Sequence, residues 1–225
     1  MIDLIYCAGG NPRLSRIAYD AHWHLGVRSG KSPDGYPIRF VDIDYRHPNF
    51  ERHLATVGAL QPHYATVPDL SEEQVSEQDI TRAIQQAERL ANYCAVVLIV
   101  PKLPGQIALL PDHLAIGYSV PTSYGGAQYP IWELAGRRVH LLGGNPHKQL
   151  DIYRYVQAIG TVLSVDGNMA MKLATRYAMY WDSGKWFKHP HVQQKATDLY
   201  LECMRWSLCN IRTAWLQEQK EVSGW

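Results

Sequence analysis

The sequence predicts an α/β chain folded as a compact TIM-type (β/α)8-like barrel, with helices after the last strand. Three observations predict it. Short apolar segments ending on Gly, Pro or Asp alternate with stretches of helical length, giving seven clear strands and one short doubtful one. Residues 138–168, RVHLLGGNPHKQLDIYRYVQAIGTVLSVDGN, hold a whole strand–helix–strand unit, which joins parallel neighbours. The length, 225 residues with 46% hydrophobic content, sits near the lower limit for one closed barrel. A doubly wound open sheet is the runner-up, but the G-x-G-x-x-G phosphate loop is absent.

Each element has its own reason. Residues 2–7 form an apolar strand that runs into Gly9, Gly10, Asn11 and Pro12; the glycines turn the chain and Pro12 can start a helix over 13–23. The doubtful strand covers 23–27. After a polar loop, 38–44 reads as a strand in which Asp42 and Asp44 alternate with apolar residues and so share a face. A helix over 49–60 and a strand over 63–67, ending Pro68-Asp69, follow. Ser71 can cap a helix over 72–92, whose apolar stripe includes Val75, Ile80, Ile84, Ala87 and Leu90.

Residues 94–100 are almost wholly apolar, as a strand covered on both faces should be, and end Pro101-Lys102. Another strand covers 113–120. The following loop, 123–129, carries Tyr124, Gly125, Gly126 and Gln128 and is long enough to line a pocket. Then come the strand 139–142, the Gly143-Gly144 turn, a helix over 147–159 and the strand 161–165, which ends on Asp166-Gly167-Asn168. After Asn168 the chain turns helical, over 169–181 and 192–219, with an aromatic, His-rich loop between them. The chain reads as one domain over 1–225, with the barrel over about 1–180 and a C-terminal helical segment over about 181–225.

Composition narrows the function. No apolar run reaches the roughly 18–20 residues a membrane span needs. The start, MIDLIYCAGG, reads as a strand and not as a basic leader, so a cytoplasmic protein without a signal peptide is expected. Cys7, Cys94, Cys203 and Cys209 form no C-x-x-C pair, so reduced thiols are expected and zinc is not. Net charge is +1, unlike a protein that coats nucleic acid. The charge is uneven, however. From Arg137 onward there are 12 Lys and Arg against 7 Asp and Glu, and the earlier part carries 10 against 14. A phosphate backbone would rest on the later part, unless the imbalance is scatter on a solvated surface.

Parallel barrels place their chemistry at the carboxyl ends of their strands. Asp42, Asp44, Asp69 and Asp166 sit at or near such ends. Any one of them could simply cap a helix. Converging carboxylates shift one another's proton affinity and divide into base and nucleophile, which suits glycosyl chemistry. Asp166, on its glycine corner, is the expected reactive group. His140, within a buried strand, reads as a hydrogen-bonded core residue. The His22/His24 and His189/His191 pairs lack a third ligand, so no metal is expected, and the G-x-S-x-G elbow that would mark a Ser-His-Asp site is absent. Tyr118, Tyr124 and Tyr129 flank the expected pocket.

The order of these motifs resembles the tRNA-guanine transglycosylase superfamily, and most of all its short DpdA-like DNA 7-deazaguanine transglycosylases of phages and bacteria. Phe40-Val41-Asp42 resembles the strand carrying the family's general-base aspartate, with Ile43-Asp44 in place of Ser-Gly. Ala65-Thr66-Val67-Pro68-Asp69 is similar to the strand whose aspartate reads the guanine edge. Leu98-Ile99-Val100-Pro101-Lys102 falls where the family has a glutamine and glycines. Ala115-Ile116-Gly117-Tyr118-Ser119-Val120 resembles the Ala-Ile-Gly-Gly-Leu strand whose backbone contacts the base. His140-Leu141-Leu142-Gly143-Gly144-Asn145-Pro146 resembles Tyr-Leu-Met-Gly-Val-Gly-x-Pro, and Ser164-Val165-Asp166 resembles Met-Phe-Asp with its nucleophile.

The resemblance implies exchange of guanine in DNA for a free 7-deazaguanine such as preQ0, in the bacterial or infected-host cytoplasm. Asp166 would be nucleophile and Asp42 the acid–base group. Asp69, Gly117, Tyr118, Leu142 and Gly143 would bind the base, with Asp44, Lys102, Tyr124 and Asn168 as further candidates. The expected partners are DNA, with tRNA as runner-up, a free purine base, and a second copy of the chain or a DNA-opening protein. No cofactor beyond the base co-substrate is implied. The three-Cys, one-His zinc site of the tRNA enzymes has no counterpart in the sequence. A DNA glycosylase of the same superfamily and a non-catalytic nucleic-acid-binding barrel are the alternatives.

Overall fold

The computed structural model describes residues 1–8, 10–31, 33–70, 76–123, 125–194 and 198–223. Strands β1 (Asp3–Ala8), β2 (His24–Arg28), β3 (Ile38–Asp42), β4 (Tyr64–Thr66), β5 (Val96–Ile99), β6 (Ala115–Ser119), β7 (Arg138–Leu142) and β8 (Thr161–Gly167) pair in chain order. Every pairing is parallel, and β8 closes back on β1. The chain is therefore a closed parallel barrel of the TIM type, with α-helices after β1, β3, β4, β7 and β8 and only short 3-10 turns after β5 and β6.

Helix starts are set by local side chains. Asn11 caps α1 (Pro12–Asp20), accepting from the backbone N–H of Arg13 and Leu14, with Pro12 in the first turn. Asn49 caps α2 (Phe50–Leu60). Ser76 and Asp79 form a reciprocal capping box on α3 (Glu77–Leu90). That helix therefore begins later than its apolar stripe predicts; the proposed cap Ser71 and the stripe residue Val75 lie outside the described residues. Asn145 caps α4 (Pro146–Ile159), with Pro146 at its start.

Two layers of apolar packing result. Ile5, Phe40, Tyr64, Leu98 and Ala115 meet inside the barrel, with Cys7, Leu142 and Leu163 against them. The larger core lies between the outer face of the strands and the helices. Glycine is required at two inward positions. A Cβ on Gly26 would meet Phe40, Cys7 and Ile5 at 3.0–3.1 Å, and one on Gly117 would meet Leu142 at 2.8 Å and Val100 at 2.9 Å. The register of β7 against β8 shifts at Val139/His140, which brings His140 opposite Ser164.

The segment after β8 departs from expectation. α5 (Met169–Tyr177) stops on Ala178 in a left-handed conformation, φ 48°. The end of the helix read over 169–181 and the aromatic loop after it form instead an antiparallel hairpin, β9 (Met179–Asp182) and β10 (Lys185–Lys188). The last helix, α6 (Leu199–Ser223), starts later and ends later than predicted. Ser207 and Asn210 of α6 bond the backbone of Trp181, fixing the hairpin to the helix. α6 in turn docks on the barrel's helices. Trp215 packs edge-on against Tyr153, and Glu218 takes two hydrogen bonds from Arg154 at 2.7 and 2.6 Å.

Candidate active site

The carboxyl ends of the strands bring three of the predicted carboxylates into one electrostatic unit. Asp42 ends β3, Asp69 follows β4, and Asp166 lies in β8; Asp42 feels both of the others. Burial, then the charges of Asp166 and Asp69, push the Asp42 carboxyl up to about 7, against hydrogen bonds from Thr66 and the Ile43 amide. The Thr66 hydroxyl donates to Asp42 Oδ1 at 2.9 Å while accepting from the Ile43 N–H at 2.9 Å.

Asp166 is surrounded by donors. The Gly143 N–H reaches its Oδ1 at 2.8 Å, and His140 Nε2 lies 3.3 Å from the same oxygen. The Cys7 thiol donates to Oδ2 at 2.9 Å. Gln149 of α4 fixes the strand end from behind, donating to the carbonyls of Gly143 and Asp166 at 2.6 and 2.8 Å. Gly143 has φ 61°, the left-handed turn that aims its N–H at the carboxylate, and space is open where a Cβ would stand.

Lys102, just past β5, is almost wholly buried, with Nζ 2.7 Å from Asp69 Oδ2 and 2.8 Å from Ser119 Oγ. Behind Asp42, the fully buried His53 joins Ser29 Oγ (2.5 Å) to the Thr66 carbonyl (2.7 Å). Burial lowers the His53 imidazole to about 4.

Other predicted residues fall elsewhere. β3 stops at Asp42, so the alternation expected to carry Asp44 onto the same face lapses; Asp44 lies 3.4 Å from Arg28 and bonds the Arg46 N–H. The inward run of Ala115, Gly117 and Ser119 turns the Tyr118 side chain outward, edge-on to Tyr129 in the outer core, so it does not face the carboxylates. Leu142 packs at the top of the inner cluster. Asn168 precedes α5 without a side-chain cap bond, and Tyr124 lies outside the described residues.

Sequence reasoning missed Cys7, Thr66, Ser164 and the position of His140. The signal for His140 was present: it lies two residues before Leu142 on one strand, hence on the same inward face. Among the described residues, no three His, Cys, Asp or Glu side chains are grouped as a metal ion would need. No helix among them is long and apolar enough to cross a membrane.

A closed parallel barrel with a buried network of charged groups at the strand ends defines the chain as an enzyme of the barrel class. It belongs to a family of unknown function (DUF6610), whose model matches residues 18–216. No curated protein matches it in sequence. Among solved structures it is similar to the YdjI aldolase from Escherichia coli K12, at 10% identity and a TM-score of 0.45, covering 96% of this chain and 90% of that one.

Proposed function

We propose that the protein exchanges guanine in DNA for a 7-deazaguanine base, through a covalent aspartyl–sugar intermediate. One observation carries this reading: two coupled carboxylates at the barrel mouth are placed in opposite environments. Asp166 receives hydrogen bonds on both oxygens, which suits an anion. Asp42, half-buried, has its carboxyl pushed up to about 7 by desolvation and by the Asp166 charge. One is equipped as nucleophile, the other as acid and base.

In the first half-reaction an Asp166 oxygen bonds to C1′ as the bond from C1′ to guanine N9 breaks. The electron pair leaves with the base, which takes a proton from the Asp42 carboxyl. In the second, the incoming base gives its N9 proton to Asp42, attacks C1′ and displaces Asp166. The nucleotide must leave the base stack to reach the mouth.

The Lys102–Asp69 pair supports the choice of purine. An ammonium beside a carboxylate offers a donor next to an acceptor. Guanine's edge carries the complement, the O6 acceptor beside the N1–H and amine donors. Lys102 stands where the resembled family has glutamine, so it takes over the donor role toward O6.

The test is incubation of DNA with labelled guanine or preQ0, comparing wild type with Asp166→Ala. The expected result is label incorporated by wild type only, with a covalent adduct that forms on DNA and not on tRNA. Equal incorporation by both would remove Asp166 from the reaction. Abasic sites formed without added base would make the protein a glycosylase, and binding without either product would make it a non-catalytic barrel.

A further inference from the structure

Four residues at the barrel mouth close a ring of hydrogen bonds that includes the Asp42 carboxyl. The pairing of β3 with β4 ends at Val41 and Ala65, so the groups beyond it need other partners. The Ser29 N–H, just past β2, donates to the Asp42 carbonyl at 2.8 Å. The Thr66 hydroxyl, at the end of β4, donates to Asp42 Oδ1 at 2.9 Å. The Thr66 carbonyl lies 2.7 Å from His53 Nε2 of α2, and His53 Nδ1 lies 2.5 Å from Ser29 Oγ. The ring thus runs from Ser29 to Asp42, Thr66, His53 and back to Ser29, and ties three strand ends to one helix.

The partners set the directions. A carbonyl only accepts, so His53 Nε2 carries a hydrogen. His53 is buried, which lowers it to about 4, so the ring is neutral at pH 7 and its Nδ1 accepts from the Ser29 hydroxyl. The Ile43 amide only donates, so the Thr66 oxygen accepts from it at 2.9 Å. The single Thr66 proton then goes to Asp42 Oδ1, and no other acceptor is within its reach among the described residues. Oδ1 is therefore committed to accepting.

We propose that Thr66, His53 and Ser29 are positioning residues for Asp42: the ring holds Oδ1 as an acceptor and leaves Oδ2 to carry the transferable proton. The ring stands without the base-exchange reading; its catalytic consequence rests on that reading. In the first half-reaction the proton passes from Oδ2 to N9 of the departing guanine, and in the second it returns from N9 of the incoming base. A carboxyl free to turn would present either oxygen, and fixing it removes that search from each step. The titratable groups acting on Asp42 from other elements are Asp166 of β8, Asp69 after β4 and Cys7 of β1, with His53 of α2 reaching it through Thr66. Substitution of Thr66 leaves all four in place.

The experiment is a carboxyl 13C titration of the full chain with labelled aspartate, Asp42→Asn identifying the signal, run beside the pH dependence of base exchange. Thr66→Val keeps the branched shape and removes the donor to the carboxylate. It is expected to move the Asp42 midpoint up by about one pH unit, and to lower kcat several-fold with KM unchanged. Thr66→Ser returns the hydroxyl and should restore both. Ser29→Ala opens the ring on its far side while keeping the Ser29 N–H. It is expected to give a smaller shift of the same sign, and serves should Thr66→Val fail to fold.

An unmoved Asp42 midpoint in folded Thr66→Val overturns the proposal, as it does in Ser29→Ala where Thr66→Val does not fold. A shift that Thr66→Ser fails to reverse overturns it too, because packing and not the hydroxyl would be the cause. Wild type that exchanges no base, with midpoints that move as expected, sinks the functional reading and leaves the ring standing. Base exchange by wild type with unmoved midpoints in the variants sinks the ring alone.

Discussion

Cys7 Sγ lies 2.9 Å from Asp166 Oδ2, placing the end of β1 in direct contact with the end of β8 at the seam where the barrel closes. Cys7 is half-buried, and desolvation of the thiol followed by the Asp166 charge raises it well above its ordinary range. It is thus a neutral S–H donor and not a thiolate. Gly26 leaves the space it occupies. Removing the donor in Cys7→Ala is expected to lower base exchange about tenfold, roughly the 1.4 kcal/mol of a modest hydrogen bond to a charged group. Cys7→Ser keeps a donor and should keep most of the rate. Single-turnover adduct formation measures both; equal loss in the two variants would make packing, and not the donor, the role of Cys7.

The two groups joined by Thr66, half-buried Asp42 and buried His53, shift in opposite directions. Asp42 is raised to about 7, so the folded state holds a proton that the unfolded chain releases near 4. The stability linked to it is present below pH 4 and lost as pH rises through 7. His53 is lowered to about 4, so its contribution is present above pH 6.5 and lost as pH falls through 4. The slopes largely offset each other in wild type. Asp42→Asn should therefore raise the melting temperature at pH 8, by the equivalent of about 1–4 kcal/mol. It should also expose the His53 slope, with stability rising from pH 4 to 6.5. Thermal melts across that range check it. A variant no more stable than wild type at pH 8 would show that Asp42 ionises without cost.

The fold was legible because the signals for a parallel barrel are local. Apolar runs such as 139–142 and capped helix starts such as Asn145-Pro146 need no knowledge of the rest of the chain. The carboxylates were legible for the same reason, each lying at a strand end. What failed depended on pairing. Tyr118 was assigned to the site by its neighbours in sequence, yet the two-residue alternation of β6 turns it outward. The hairpin over 179–188 has too little periodicity to stand apart from a helix end and an aromatic loop, and is fixed by contacts of Trp181 with Ser207 and Asn210, 26 and 29 residues on. The alternation with Leu142 marks His140 as inward, but its pairing with Ser164, two residues from Asp166, is set by the register shift between β7 and β8, which no local pattern records.

Gly117 tests the packing beneath the mouth. A methyl group there would stand 2.8 Å from a Leu142 methyl and 2.9 Å from a Val100 methyl, so at least one of them must shift. Gly117→Ala is expected to cost about 1–3 kcal/mol of stability, read from urea unfolding, as overpacking of a core does. The displaced Leu142 precedes Gly143, whose N–H holds Asp166, so exchange should fall further than stability alone accounts for. Full activity in a destabilised variant would separate this packing from the Asp166 carboxylate.

The β9–β10 hairpin offers the most direct test of the polymer. Its turn lies beside the start of α4, with Gly184 3.8 Å from His147 Nδ1 where a Cβ would be, and so at the carboxyl end of the barrel with Asp166. Lys185 and Phe187 alternate with the half-buried Trp186 and share the exposed face; Lys188 is exposed at the end of the strand. A cation and an aromatic ring on one exposed face match the phosphate and base contacts of a single strand drawn toward the mouth. Lys185→Ala should weaken DNA binding and reduce the slope of log affinity against log salt by about 1. Phe187→Ala should weaken binding by about 1–3 kcal/mol with the salt slope unchanged. Titrations of single-stranded DNA at several salt concentrations separate the two. Unaltered affinity in both variants, with melting temperatures equal to wild type, would take the hairpin off the path of the strand.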